Sequence, residues 1–255
     1  LETGVRSERT VAGSVVQGFI RGLRPTLDGK RIEVRDYQID AIAHAIATNR
    51  SLLISPTASG KSLIIYCLIR YYQMMELKTL ILVPTTSLVE QMYKDFEDYG
   101  WSSGTYCQKI YQGHDKKVTK DVVISTWQSI HRMPRAYFRQ FGAVFGDEAH
   151  LFKAKSLTGI MTKLDTCKYR FGLTGTLDGT QTHRLVLEGL FGKAKYVVTT
   201  KELIDNKTLS ALDIKCIVLK YPDEDIQIVK ELDYHGELEY IVTKTERNTF
   251  LCNLV

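Results

Sequence analysis

Long apolar runs are missing from this sequence. No stretch reaches the roughly 18 residues needed to cross a bilayer, and the N-terminus lacks the charged-then-apolar layout of a secretion signal. No membrane partner is expected, and the setting expected is cytoplasmic. The five cysteines, Cys67, Cys107, Cys167, Cys216 and Cys252, stand far apart. They contain no C-x-x-C pair for a metal and no crowding of the kind a disulfide framework needs, so they read as reduced thiols. There is no internal repeat and no low-complexity tract. Position 1 is Leu1 and not methionine, and the chain closes on the apolar "TFLCNLV" without a helix stop signal, so both ends read as internal cuts.

What is present is ample for a core: 255 residues, 44% of them apolar. The net charge of +5 leans mildly toward a polyanionic partner, although an ordinary solvated surface carries as much. Up to residue 34 the chain is Gly- and Arg-rich with weak periodicity and reads as a partly regular entry segment. From Tyr37 a helix-spaced apolar pattern runs through Ile39, Ile42, Ala43 and Ile46 and ends near Asn49. Thereafter short apolar runs ("SLLIS", "TLILVP", "TYCQKIY", "DVVIST", "AVFGDE", "YRFGLTGT", "AKYVVTT") are separated by helical stretches. That alternation predicts an α/β domain, its mostly parallel sheet flanked by helices on both faces. "DIKCIVLKYPDEDIQ" reads as a strand and an acidic turn, and residues 221–255 as a linker with one or two helices.

Two strand-terminal motifs carry chemistry. "SPTASGKS", Ser55 to Ser62, follows one apolar run and opens a long helix, the setting of a phosphate-binding loop. In such a loop the backbone N–H groups of Thr57, Ala58, Ser59 and Gly60 converge on phosphate at a helix N-terminus. Lys61 would reach the β- and γ-phosphates of ATP, and the Ser62 hydroxyl would ligate Mg2+. Ser55 replaces the usual first glycine, which mainly shapes the entry turn. "VFGDEAH" ends a second apolar run in Asp147 and Glu148. Asp147 would hold Mg2+ through water and Glu148 would orient and deprotonate an attacking water. Each motif alone has a bland explanation, a Gly-Lys turn or a helix cap. Together and in this order they place ATP hydrolysis at one end of one sheet.

With "DEAH", "SPTASGKS" and "LTGT" read together, the stretch from Arg35 to Gly192 resembles the first RecA-like motor domain of superfamily 2 helicases and translocases, P-loop NTPases. "RDYQ" is similar to their Q motif, "LVPTTSLVEQ" to motif Ia, "ISTWQSI" to motif Ib and "LTGT" to motif III. "VPTTSL", "TWQS", "FGLTGTLDG" and "KYPDED" look most like the recombination-repair helicases of large tailed phages, with XPB-like and RecG-like helicases more distant.

The resemblance implies that Gln38, supported by Arg35 and Tyr37, reads the adenine edge of ATP. It implies that His150, Thr174, Gly175 and Thr176 couple hydrolysis to movement. Pro84, Thr85, Thr86, Gly113, Thr126, Trp127 and Gln128 would lie on the nucleic-acid backbone, single-stranded or branched DNA read without regard to sequence. The residues agree in part, since 101–140 holds seven basic side chains against two acidic ones, interleaved with Tyr111, Trp127 and Tyr137. An arginine finger and motifs IV to VI belong to a second RecA-like domain, and nothing after Gly192 matches them. The implied activity is an ATP-dependent DNA helicase, present as its first motor domain and weakly active alone. A restriction-system translocase, an idle ATP-gated binding module and an RNA substrate stay open as alternatives.

Overall fold

The computed structural model describes residues 13–151, 155–177, 181–210 and 215–254. Contacts divide the chain into two compact units, Leu1–Ser210 and Ala211–Val255, a division ahead of the boundary expected at 220. Residues 1–12 of the expected entry segment, and Asp213 and Ile214 of the expected late strand, lie outside the described residues.

The first unit begins with more order than its sequence suggests. Helix α1 (Gly13–Leu23) buries Val16 and Ile20, four residues apart and therefore on one face. Gly13, Gly18 and Gly22 dilute its apolar stripe, which is why the periodicity is weak. A short antiparallel hairpin, β1 (Thr26–Leu27) and β2 (Lys30–Arg31), leads into α2 (Asp36–Thr48). Asn49, left-handed at φ 63°, stops α2 where the sequence placed its end.

From here strands and helices alternate: β3 (Arg50–Ile54), α3 (Lys61–Gln73), β4 (Thr79–Val83), α4 (Thr86–Asp98), α5 (Ser103–Tyr106), β5 (Cys107–Ile110) and β6 (Val122–Thr126). Then come α6 (Trp127–Ile130), α7 (Arg135–Phe138), β7 (Ala143–Gly146), a 3-10 turn (Ala149–Leu151), α8 (Lys155–Lys163), β8 (Tyr169–Thr174), α9 (Gln181–Phe191), β9 (Ala194–Tyr196) and α10 (Thr200–Asp205). Strands β3 to β9 form one seven-stranded sheet in the order β5-β6-β4-β7-β8-β3-β9, every pair parallel.

The strands are apolar throughout because both faces are covered. Side chains alternate between two cores. Leu53, Ile81, Val83, Ile124 and Phe145 face the core built with α1, α2, α3 and α4. Leu52, Leu80, Leu82, Val123 and Val144 face the core that holds Ile130, Phe138, Leu157, Ile160 and Leu187 of α6 to α9. Arg170 on β8 is buried among carbonyl groups. Its guanidinium donates to Met161, Leu164 and Cys167 at 3.3, 2.5 and 3.2 Å. A cation thus caps the C-terminal end of α8, where the helix dipole favours positive charge.

The second unit holds α11 (Asp223–Lys230), α12 (Tyr234–Thr243) and α13 (Thr245–Cys252). The strand expected in "DIKCIVLK" does not form, since 215–220 is irregular. An apolar run becomes a strand only beside a partner that takes its N–H and C=O groups, and these residues have no neighbouring strand. The acidic turn is instead the first turn of α11, behind Pro222, where negative charge suits the helix N-terminus. No apolar side chain among the described residues of this unit is fully buried, and a polar clip ties its helices. Asp225 accepts from Tyr240 Oη at 2.7 Å and from Lys244 Nζ at 2.6 Å.

Candidate functional site

The phosphate loop leaves β3, turns at Ala58 (φ 62°) and Gly60 (φ 79°) and becomes α3. Both left-handed angles are needed to curl the backbone so that its N–H groups face inward with those of the first turn of α3, which no helical carbonyl can satisfy. At Gly60 no other residue fits, because a Cβ would sit 2.4 Å from Gln38 Nε2. Ser55, the residue in place of glycine, is fully buried and closes the loop from inside. Its hydroxyl donates to Ser59 Oγ at 2.7 Å, and Ser59 donates to the Pro56 carbonyl at 2.6 Å. Lys61 Nζ rests on the Ser55 and Pro56 carbonyls at 3.3 and 3.4 Å, weak bonds that leave the ammonium within the concavity.

The start of α2 grips the same loop. Tyr37 Oη and Gln38 Nε2 both donate to the Ser59 carbonyl, at 3.0 and 2.9 Å. Gln38 Oε1 accepts from the Arg35 N–H at 3.0 Å, and Arg35 donates to Tyr37 Oη at 2.9 Å. Gln38 is buried, so the whole amide expected to face adenine is engaged on the loop backbone in this structure.

Strands β7 and β8 deliver the remaining groups, since β8 lies between β3 and β7. Asp147, at the end of β7, is buried. Burial first and the Glu148 charge second push its carboxyl up to about 6, with the Glu148 N–H and Lys61 opposing. Glu148 has φ 49°, an uncommon angle for a side chain of this kind, which turns its carboxylate off the strand direction. His150 Nδ1 lies 3.3 Å from Glu148 Oε2 and 3.0 Å from Thr174 Oγ1, so one imidazole bridges the ends of β7 and β8. Thr174 Oγ1 donates to the Thr176 carbonyl at 2.9 Å, and Gly175 lies beside the loop, its Cβ position 3.9 Å from Lys61 Nζ.

These residues fit a magnesium nucleotide. Ser62 and Asp147 offer oxygen donors of the kind a hard cation takes, and a carboxylate whose burial favours its neutral form gains most from a divalent charge beside it.

The residues expected on nucleic acid gather on the other half of the same sheet edge. Pro84, Thr85 and Thr86 follow β4, Thr126 to Gln128 follow β6, Gly113 follows β5, and these three strands are neighbours. Gln128 Nε2 donates to the Pro84 carbonyl at 3.1 Å. Thr86, Ser87, Glu90, Tyr111 and Gln112 line one shallow depression there. The basic surplus is smaller than its count suggests: Lys109 pairs with Glu90, and Arg135 and Arg139 pair with Asp165. Trp127 and Tyr137 pack against the second core.

One group that sequence reasoning missed adjoins the site. Tyr99, at the end of α4, places its hydroxyl 2.7 Å from Ser62 Oγ, and no motif marks it.

A family model described as "Type III restriction enzyme, res subunit" (ResIII) matches residues 31–179, a span that includes the loop and the paired carboxylates. The chain belongs to the ResIII family. Among curated relatives of this ResIII chain, the ATP-dependent DNA helicase uvsW of Enterobacteria phage T4 is 39% identical over 230 residues, 88% of this chain and 46% of the relative. The DNA 3'-5' translocase XPB2 of Sulfurisphaera tokodaii is 27% identical over 212 residues, 83% of this chain and 46% of the relative. The chain therefore spans about half the length of the curated relatives it matches. The crystal structure of the UvsW helicase from bacteriophage T4 superposes with a TM-score of 0.70 at 35% identity, covering 76% of this chain and 71% of that one. The Hef helicase domain of Pyrococcus furiosus, at 18% identity and a TM-score of 0.60 over 77% of this chain and 45% of that one, shares the fold. The ResIII chain has the RecA-like α/β architecture of these helicase domains, and among its described residues no helix is long and apolar enough to cross a membrane.

Proposed function

We propose that this chain is the ATP-binding first motor domain of a DNA helicase or translocase that works on branched DNA, such as stalled forks and recombination intermediates. The observation that carries this reading is the division of one sheet edge. The loops after β3, β7 and β8 hold Lys61, Ser62, Asp147, Glu148 and Thr174, and the adjoining loops after β5, β6 and β4 hold the backbone-contact candidates.

In this reading the loop from Thr57 to Ser62 and the start of α3 bind the triphosphate, and Lys61 steadies its β- and γ-phosphates. Ser62 and Asp147 hold Mg2+, which when bound neutralises charge on the phosphate oxygens. Glu148 orients a water and takes its proton as the oxygen bonds to the γ-phosphorus. The bond to the β,γ-bridging oxygen breaks, and ADP and phosphate leave. His150, bonded to Thr174 and Glu148, ties that event to the neighbouring strand end. Closure against a second RecA-like domain converts it into a shift of grip along the DNA backbone, largely indifferent to sequence. The setting is the cytoplasm of a phage-infected bacterium.

In the two-domain protein, Lys61→Ala is expected to lose nucleotide binding. Glu148→Gln is expected to keep ATP and to turn over at least about 100-fold more slowly. Wild-type DNA-stimulated ATPase in either variant overturns the assignments. The family description favours one alternative, a restriction subunit that translocates duplex without separating it. Displacement of a triplex strand with no displacement of a duplex strand would select that alternative.

A further inference from the structure

A serine hydroxyl has one proton and two lone pairs to place. At Ser62, two of these three directions are engaged by α4 and the residue that follows it. The Ser62 hydroxyl hydrogen-bonds the Asp95 carboxyl, and Tyr99 Oη lies 2.7 Å from Ser62 Oγ. An ionised carboxylate can only accept, so Ser62 donates to Asp95. The Tyr99 phenol, its proton held by a pKa that burial pushes up to about 12, then donates into one Ser62 lone pair.

The arrangement is built into the core. Tyr99 is 8% exposed, and its ring lies 5.3 Å from that of Tyr66, which is one turn beyond Ser62 on the same face of α3. The Tyr99 carbonyl accepts from the Thr26 N–H at 3.3 Å, and Thr26 Oγ1 donates to the Asp98 carbonyl at 2.9 Å, so the β1–β2 hairpin holds the end of α4. Val89, Met92 and Phe96 anchor the rest of that helix.

We propose that Tyr99 and Asp95 are positioning residues that turn the Ser62 hydroxyl so that its one remaining lone pair faces the Mg2+ of bound nucleotide. The inference rests on the reading of Ser62 as a metal ligand. The opposite relation, in which Tyr99 competes with the metal for the Ser62 oxygen, predicts the opposite change on removing the phenol hydroxyl.

The test is a Mg2+ titration of the 255-residue chain with a fluorescent ribose-labelled ATP analogue, read as binding and not as turnover. Tyr99→Phe keeps the ring packing and is expected to raise the Mg2+ midpoint about tenfold, as outer-sphere partners of metal ligands do. Its affinity for the analogue in EDTA should equal that of the wild type. Asp95→Asn, whose amide oxygen still accepts, should shift the midpoint the same way by less. A midpoint unchanged or lowered in Tyr99→Phe overturns the inference. If Tyr99→Phe loses analogue binding even in EDTA, the fold is damaged and Asp95→Asn decides, an unchanged midpoint again overturning it. Wild-type binding that is indifferent to Mg2+ overturns the reading of Ser62 itself.

Discussion

Gln38 is 3% exposed, with Oε1 on the Arg35 N–H and Nε2 on the Ser59 carbonyl, so its first effect is on the shape of the phosphate loop. Gln38→Ala leaves two buried partners unmatched, a penalty of about 1–3 kcal/mol. The affinity for ATP and GTP should fall together, because the loop serves both; equilibrium binding of the two labelled nucleotides checks this. A loss of preference for ATP with GTP affinity unchanged would return Gln38 to the adenine edge. At this scale the sequence was legible where chemistry restricts the residue type. Gly60, Lys61, Ser62, Asp147 and Glu148 can hardly be replaced without changing what the site does. Tyr99 and Asp95 were not legible, since their relation to Ser62 exists only once α4 has packed beside α3, and neither spacing nor composition encodes that packing. The Ser55 hydroxyl bond was hidden for the same reason.

Elements were legible where both flanks of the pattern were strong. The apolar runs from "SLLIS" to "AKYVVTT" became strands, and Asn49 ended α2, because burial on two faces and a left-handed cap leave local marks. α1 was obscured by its glycines, and "DIKCIVLK" was misread because a strand is half of a pair and only one half was visible. Arg170 is a further case, since a positive charge inside an apolar strand reads as an exception until its partners are seen. Arg170→Met should fill the space but leave the Met161, Leu164 and Cys167 carbonyls without the donor that caps α8. A loss of about 3 kcal/mol in urea unfolding is expected for three buried acceptors left behind. An unchanged midpoint would show that the cap is dispensable.

For the molecule as a whole, Lys61 is the one cation among the described residues bonded to the phosphate loop, and phosphoryl transfer in this class of site uses a second, commonly an arginine finger. The chain alone is therefore expected to hydrolyse ATP at least about 1000-fold more slowly than a two-domain relative in a phosphate-release assay. Comparable turnover would mean that this unit supplies every charge it needs. The parallel class of the sheet was legible from the alternation of runs and helices, but the strand order was not, because parallel neighbours are chosen by packing across long connections. That order has a consequence for synthesis on the ribosome. β3 pairs only with β8 and β9, whose residues are made more than a hundred positions after it. Until Tyr169–Thr174 has left the exit tunnel, the strand that feeds the phosphate loop has no neighbour, and the emerging chain cannot hold nucleotide with a half-built machine.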